Sequence, residues 1–221
     1  LYRYFNVAKA GYHAGPLEER FSMTLTNINA SRYPSHCLAV TQSSAPPNSP
    51  PLMLPVCADL YKKGFNPNLP WPKEDDPPEI PDETEDAGDQ PLTIPTLPEG
   101  PVRLSLPVHS ISVPHLVSLP LLLLFGLGLE TEVEMLPYRL LPSSVVAEFP
   151  APAAMAEVFA KFPEQQFERY HMYIGGFWGN ILALGLKERR IMEIASTAWS
   201  VASEARRIRQ RQQGVSTQQR R

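Results

Sequence analysis

The chain has 221 residues, room for one or two domains, with 43% apolar residues and a net charge of −3. That balance hides two asymmetries. Of 25 prolines, 19 lie between Pro34 and Pro120, and from Lys187 to Arg221 nine Lys/Arg stand against three Glu, a local +6 against −9 for the rest. The proline density excludes regular helices and central strands from much of the first half, which places the globular part in nearer 100 residues than 221. The longest near-apolar run, Ser118 to Leu129, is shorter than the roughly 20 residues a bilayer span needs, so no membrane role is expected.

Residues 1–42 are weakly patterned, as in short strands or the remnant of an upstream domain. The chain begins at Leu1 rather than Met, as a fragment would. Phe21, Met23 and Leu25 alternate with Ser22, Thr24 and Thr26, a half-buried strand pattern, and Leu38 with Val40 suggests a second strand over 36–42. Asn29-Ala-Ser31 matches the glycosylation triplet, which matters only in a secreted protein. Cys37 and Cys57 fit either a disulfide or two free thiols, and an intracellular chain favours the thiols.

Residues 43–100 read as a proline-rich acidic linker, with one short helix near Ala58–Lys62. Lys73 to Gly100 holds ten acidic residues and one lysine, too little apolar surface to offset an ordering entropy of about 1–2 kcal/mol per residue. Disorder is expected there. Residues 101–117 alternate apolar and polar between prolines, which reads as an extended arm and not a central strand.

From 118 to 213 the period changes to that of helices. Ser118 is a plausible cap for an all-apolar helix over Leu121–Phe125, and short helices follow near Glu130–Leu136 and Ser143–Phe149. Pro152 opens another, buried through Met155, Val158, Phe159 and Phe162. After Pro163, the residues Phe167, Tyr170, His171, Ile174, Trp178, Ile181 and Leu182 share one face, with Gly175-Gly176 either kinking or dividing the helix. Gly185 fits the position just past its end. In the last helix, about Lys187 to Gln212, Ile191, Ile194, Ala195, Ala198, Trp199, Ala202 and Ala205 line one face before an arginine cluster, and residues 214–221 form a disordered tail. The class expected is therefore all-α: a small helical bundle over 101–213, behind a largely disordered N-terminal half.

The sequence carries no nucleophile elbow, phosphate-binding glycine loop or zinc-protease helix, so no catalytic residue, cofactor or metal site is assigned. His36-Cys37 with Cys57 matches no common zinc spacing, and His171 lies on an apolar face, where a core role outweighs a catalytic one. Candidates for partner binding are Phe177, off the main face of its helix, Trp178, Trp199, and the cluster Arg206, Arg207, Arg209 and Arg211. Cations near a helix C-terminus are favoured by the dipole alone. The functional alternatives are nuclear import or, with Lys187, Arg189 and Arg190, a nucleic-acid contact.

Four blocks in order resemble one family: Leu119-Pro-Leu-Leu-Leu-Leu-Phe-Gly-Leu-Gly-Leu-Glu-Thr131, Leu140-Leu-Pro-Ser-Ser-Val-Val-Ala-Glu-Phe149, Trp178-Gly-Asn-Ile-Leu-Ala-Leu-Gly-Leu186 and Thr197-Ala-Trp-Ser-Val-Ala-Ser-Glu-Ala-Arg-Arg-Ile-Arg-Gln-Arg211. Over about residues 107–211 the chain resembles the clampless-like proteins of basidiomycete fungi. The resemblance does not extend to residues 1–100. It implies a non-enzymatic regulator of sexual development, acting in clamp-cell and dikaryon formation with transcriptional regulators in the nucleus. The expected function is thus a protein-interaction module, with nucleic-acid binding by the basic helix as the alternative.

Overall fold

The computed structural model describes residues 1–12, 17–27, 31–46, 49–66 and 102–218, with side chains through Gln213. The acidic stretch from Lys73 to Gly100 and Asn29 of the glycosylation triplet lie outside them. Among the described residues, four strands and seven α-helices form, so the expected all-α class is wrong. The architecture is α/β, and the helical-bundle description fails with the class. By contact the chain divides into two compact units, Leu1–Lys62 with Pro67–Ser112, and Lys63–Asn66 with Val113–Arg221.

The first unit is built on a mixed sheet in the order β1-β4-β2-β3. Its strands are β1 (Arg20–Thr24), β2 (His36–Gln42), β3 (Leu52–Val56) and β4 (Arg103–Val113). β1 pairs antiparallel with β4 (Arg20 opposite Pro107, Thr24 opposite Arg103), and β2 pairs antiparallel with β3 (His36 opposite Val56, Val40 opposite Leu52). β1 and β2 fall where alternation placed them. In β2, Cys37, Leu38, Ala39 and Val40 are all buried, as in a strand covered on both faces, which is why its alternation is faint.

Two segments of this unit correct the sequence reading. β3 lies inside the stretch assigned to linker. It has only five residues, and Pro55 breaks its pattern, but β3 is an edge strand, where proline is tolerated. Residues 103–113, read as an extended arm, are a central strand. Val108 N–H donates to Glu19 and Leu25 N–H to Val102, so hydrogen-bonded pairs alternate along the β1–β4 ladder. Pro107, opposite Arg20, falls at an intervening pair, and that ladder loses nothing from its missing N–H. α1 (Ala58–Gly64) begins where expected, with Ser35 Oγ accepting from Ala58 N–H at 2.9 Å.

The second unit holds α2 (Leu119–Gly126), a 3-10 turn (Val133–Met135), α3 (Leu136–Leu140), α4 (Ser143–Val146), α5 (Pro152–Ala160), α6 (Glu164–Leu184) and α7 (Arg189–Gln218). α7 packs on α5, α6 and α3, and α2 packs on α6. Ile191, Ala195, Ala198, Ala202 and Ala205 of the expected face are buried, joined by Val201, while Ile194 and Trp199 are half-buried. The small alanine side chains let α5 and α6 approach closely. The α7 backbone stays helical past Gly214 to Gln218, so the helix enters the segment expected to be a disordered tail. Gly185 ends α6 in the left-handed conformation, at φ 61°. Phe65, fully buried, joins this unit with Asn66, whose N–H donates to Leu184 O.

Candidate functional site

The arginine cluster follows directly from the α7 face. Arg209 sits four residues after buried Ala205, so it points at α5 and α6 and not at solvent. Its guanidinium donates to Ala160 O and Phe162 O, both at 2.7 Å, and to the Glu164 carboxylate, and it lies 4.7 Å over the Phe167 ring. The end of α5 leaves carbonyls without intrahelical partners, and Arg209 satisfies two carbonyls there. With a side chain only 15% exposed, it belongs to the fold. Its place on the alanine face was the sequence signal that the cluster reading passed over.

The other arginines are exposed but accompanied. Arg207 pairs with Glu204 at 3.2 Å and Arg211 with the same carboxylate at 2.5 Å. Arg206 lies 3.9 Å from Glu168 and donates a long hydrogen bond, 3.4 Å, to His171 Nδ1. At the other end of α7, Arg189 pairs with Glu193 at 2.8 Å and Arg190 with Glu134 at 2.6 Å. Arginine shares this surface with carboxylates, so it is not a patch of one sign.

The aromatic candidates separate. Phe177 is fully buried and cannot be an exposed binding residue. The buried face of α6 is Phe167, His171, Ile174, Phe177, Ile181 and Leu184 with Asn180, a stripe rotated from the expected one. Trp178 is half-buried and Leu182 exposed. The glycines explain the misreading, since they add no hydrophobic weight to either face. α6 runs unbroken through both. A Cβ on Gly175 would lie 2.8 Å from the Trp199 ring, and one on Gly176 would lie 2.3 Å from His115. They are glycine because neighbours come that close. Trp199, half-buried, rests there with its ring 5.2 Å from that of His171.

One constellation was absent from the sequence reading. Asn180, fully buried in α6, accepts from His115 N–H at 3.0 Å and donates to His115 O at 2.7 Å and Ser118 Oγ at 3.2 Å. Ser118 Oγ in turn lies 2.8 Å from His115 Nδ1. The backbone N–H of His115 fixes the orientation of the Asn180 amide. Ser118 Oγ therefore accepts from Asn180, and the direction of its contact with Nδ1 follows the tautomer of the His115 ring. A serine beside a histidine suggests a nucleophile and base. Ser118, however, is 0% exposed, so no substrate reaches it. The arrangement clamps the segment before α2 onto α6, and Ser118 serves this clamp instead of capping the helix through its side chain.

Among the described residues, no three His, Cys, Asp or Glu groups could hold a metal ion. Cys37 and Cys57 are free, and burial pushes the Cys37 thiol up to about 12, which keeps it protonated and unreactive at neutral pH. A surface depression of about 550 Å³ is lined by Gln165, Gln166, Glu168, Arg169 and Met172, a set without a nucleophile. No described helix is long and apolar enough to cross a membrane.

No family model, curated protein or solved structure matches this chain. The comparisons therefore lend the clampless-like resemblance no support.

Proposed function

We propose that the chain is a non-catalytic regulatory module that binds another protein through its helical unit. The observation that carries this reading is where the side chains are used. Ser118 and Asn180 are sealed inside and hold the half-buried His115, and Arg209 is consumed by α5 and α6. Large apolar side chains of the helical unit remain outside: Tyr138, Phe149, Met172 and Leu182 are 54%, 70%, 61% and 64% exposed. Where such side chains gather into one patch they anchor protein interfaces, and we take these four as the binding surface. The resemblance supplies the rest of the proposal, a nuclear partner among the transcriptional regulators of fungal sexual development. The carboxylates beside Arg190, Arg206, Arg207 and Arg211 favour this over nucleic-acid binding, which needs uncompensated cations along a phosphate backbone.

Co-precipitation of the 221-residue chain from its native cell, with mass spectrometry, tests the proposal. A Tyr138→Ser/Phe149→Ser/Met172→Ser/Leu182→Ser variant should lose a partner that an Arg207→Glu/Arg211→Glu variant keeps. Equal recovery by the apolar variant, or loss with the arginine variant alone, contradicts it. Absence of any transcriptional regulator among the recovered proteins contradicts the developmental part.

A further inference from the structure

His171 sits in α6 at the seam with α7, 8% exposed, between the rings of Phe167 (centroids 5.7 Å apart) and Trp199 (5.2 Å). Two charged groups face it: Arg206 from α7 and Glu168 from its own helix, one turn away. Arg209, one turn along α7 from Arg206, is committed to Ala160, Phe162 and Glu164. Arginine can only donate a hydrogen bond, so the contact from Arg206 to Nδ1 at 3.4 Å requires an unprotonated Nδ1. The remaining ring proton is on Nε2.

We propose that His171 and Arg206 form a proton-operated latch between α6 and α7. With the imidazole neutral, Arg206 is seated on Nδ1 and near Glu168. When Nδ1 takes up a proton, the acceptor is gone and two cations face each other. Arg206 leaves the seam, and Glu168, 3.9 Å from the guanidinium while the latch is closed, becomes the counter-ion of the imidazolium. The released guanidinium, already 47% exposed when seated, is then free on the surface beside Arg207 and Arg211. Acidification thus adds a mobile cation at the basic end of α7. Burial first, and Arg206 second, hold His171 below the usual imidazole value, so the latch is closed at neutral pH. The latch is internal, and its operation does not depend on the partner proposed above.

NMR on the isotopically labelled 221-residue chain tests it directly, from about pH 8 to about pH 5 across the imidazole range. The Arg206 Nε–H signal should be lost with the same midpoint as the His171 ring titration. The emission of Trp199 should fall with that midpoint, as the imidazolium forms against the indole. Arg206→Gln, a change at an exposed side chain, should move the His171 midpoint upward. His171→Gln should remove the pH dependence of the Arg206 signal. An Arg206 signal constant through the His171 titration, or a midpoint unmoved by Arg206→Gln, overturns the latch.

Discussion

The sheet unit and the helical unit differ in how far apart in sequence their partners lie. In the sheet, Arg20 of β1 donates to Ser105 Oγ of β4, across 85 residues. In the helical unit, the same work is done by faces repeating every three or four residues, so that Ile191, Ala195, Ala198, Ala202 and Ala205 declare their common side within one segment. A sheet stabilised by distant pairings hides in sequence, while a helix advertises itself locally. The helical unit keeps its secrets in single polar side chains, Asn180 and Arg209, which hold together segments that no period connects.

The largest test of this contrast lies in the apolar seam. Phe167 touches Phe159 with ring centroids 4.9 Å apart and lies under Arg209. Phe167→Ala should cost about 3–5 kcal/mol in chemical denaturation, as deletion of a fully buried aromatic does. Next comes the polar clamp. Asn180→Ala should cost on the order of 2–4 kcal/mol, because it leaves the N–H and C=O of His115 without their partner, each worth about 1–3 kcal/mol when buried. Faster amide exchange in residues 114–118 should accompany it, and a loss below about 1 kcal/mol would mean that the clamp matters little.

Acid dependence is a smaller effect and reaches both units. Burial lowers the values of His36, His109, His115 and His171, with His109 and Lys62 adding to the effect at His36 and Arg206 at His171. The unfolded chain, with ordinary histidines near 6.5, therefore takes up protons first as pH falls. Stability should be fullest above about pH 6.5, decline as pH drops below it, and level off once the folded histidines are also protonated. Urea midpoints across that range read the effect, and a midpoint rising on acidification would reverse the sign.

Much of the helical unit was legible, because amphipathic period, proline starts and Gly185 all act locally. The face of α6 was misjudged at Phe177 and Leu182 because Gly175 and Gly176 are blank in a hydrophobic pattern, although they mark where Trp199 and His115 press in. β4 was missed because Pro107 argues against a central strand until the alternation of the ladder is known. β3 was missed because five residues with Pro55 among them carry too little pattern. The site was least legible. Nothing in the sequence ties His115 to Asn180, 65 residues away, and the charge of Arg206–Arg211 reads as surface until the carbonyls of Ala160 and Phe162 are placed beside Arg209.

The basic end of α7 is divided, with Arg209 in the fold and its neighbours on the surface. The unfolding free energies of Arg209→Ala and Arg207→Ala measure this directly. Arg209→Ala should lose about 1.5–3 kcal/mol, as expected for a charged hydrogen bonder to enclosed carbonyls, and Arg207→Ala should stay within about 0.5 kcal/mol, as an exposed ion pair does. Equal losses from the two, or a larger loss at Arg207, would contradict the account.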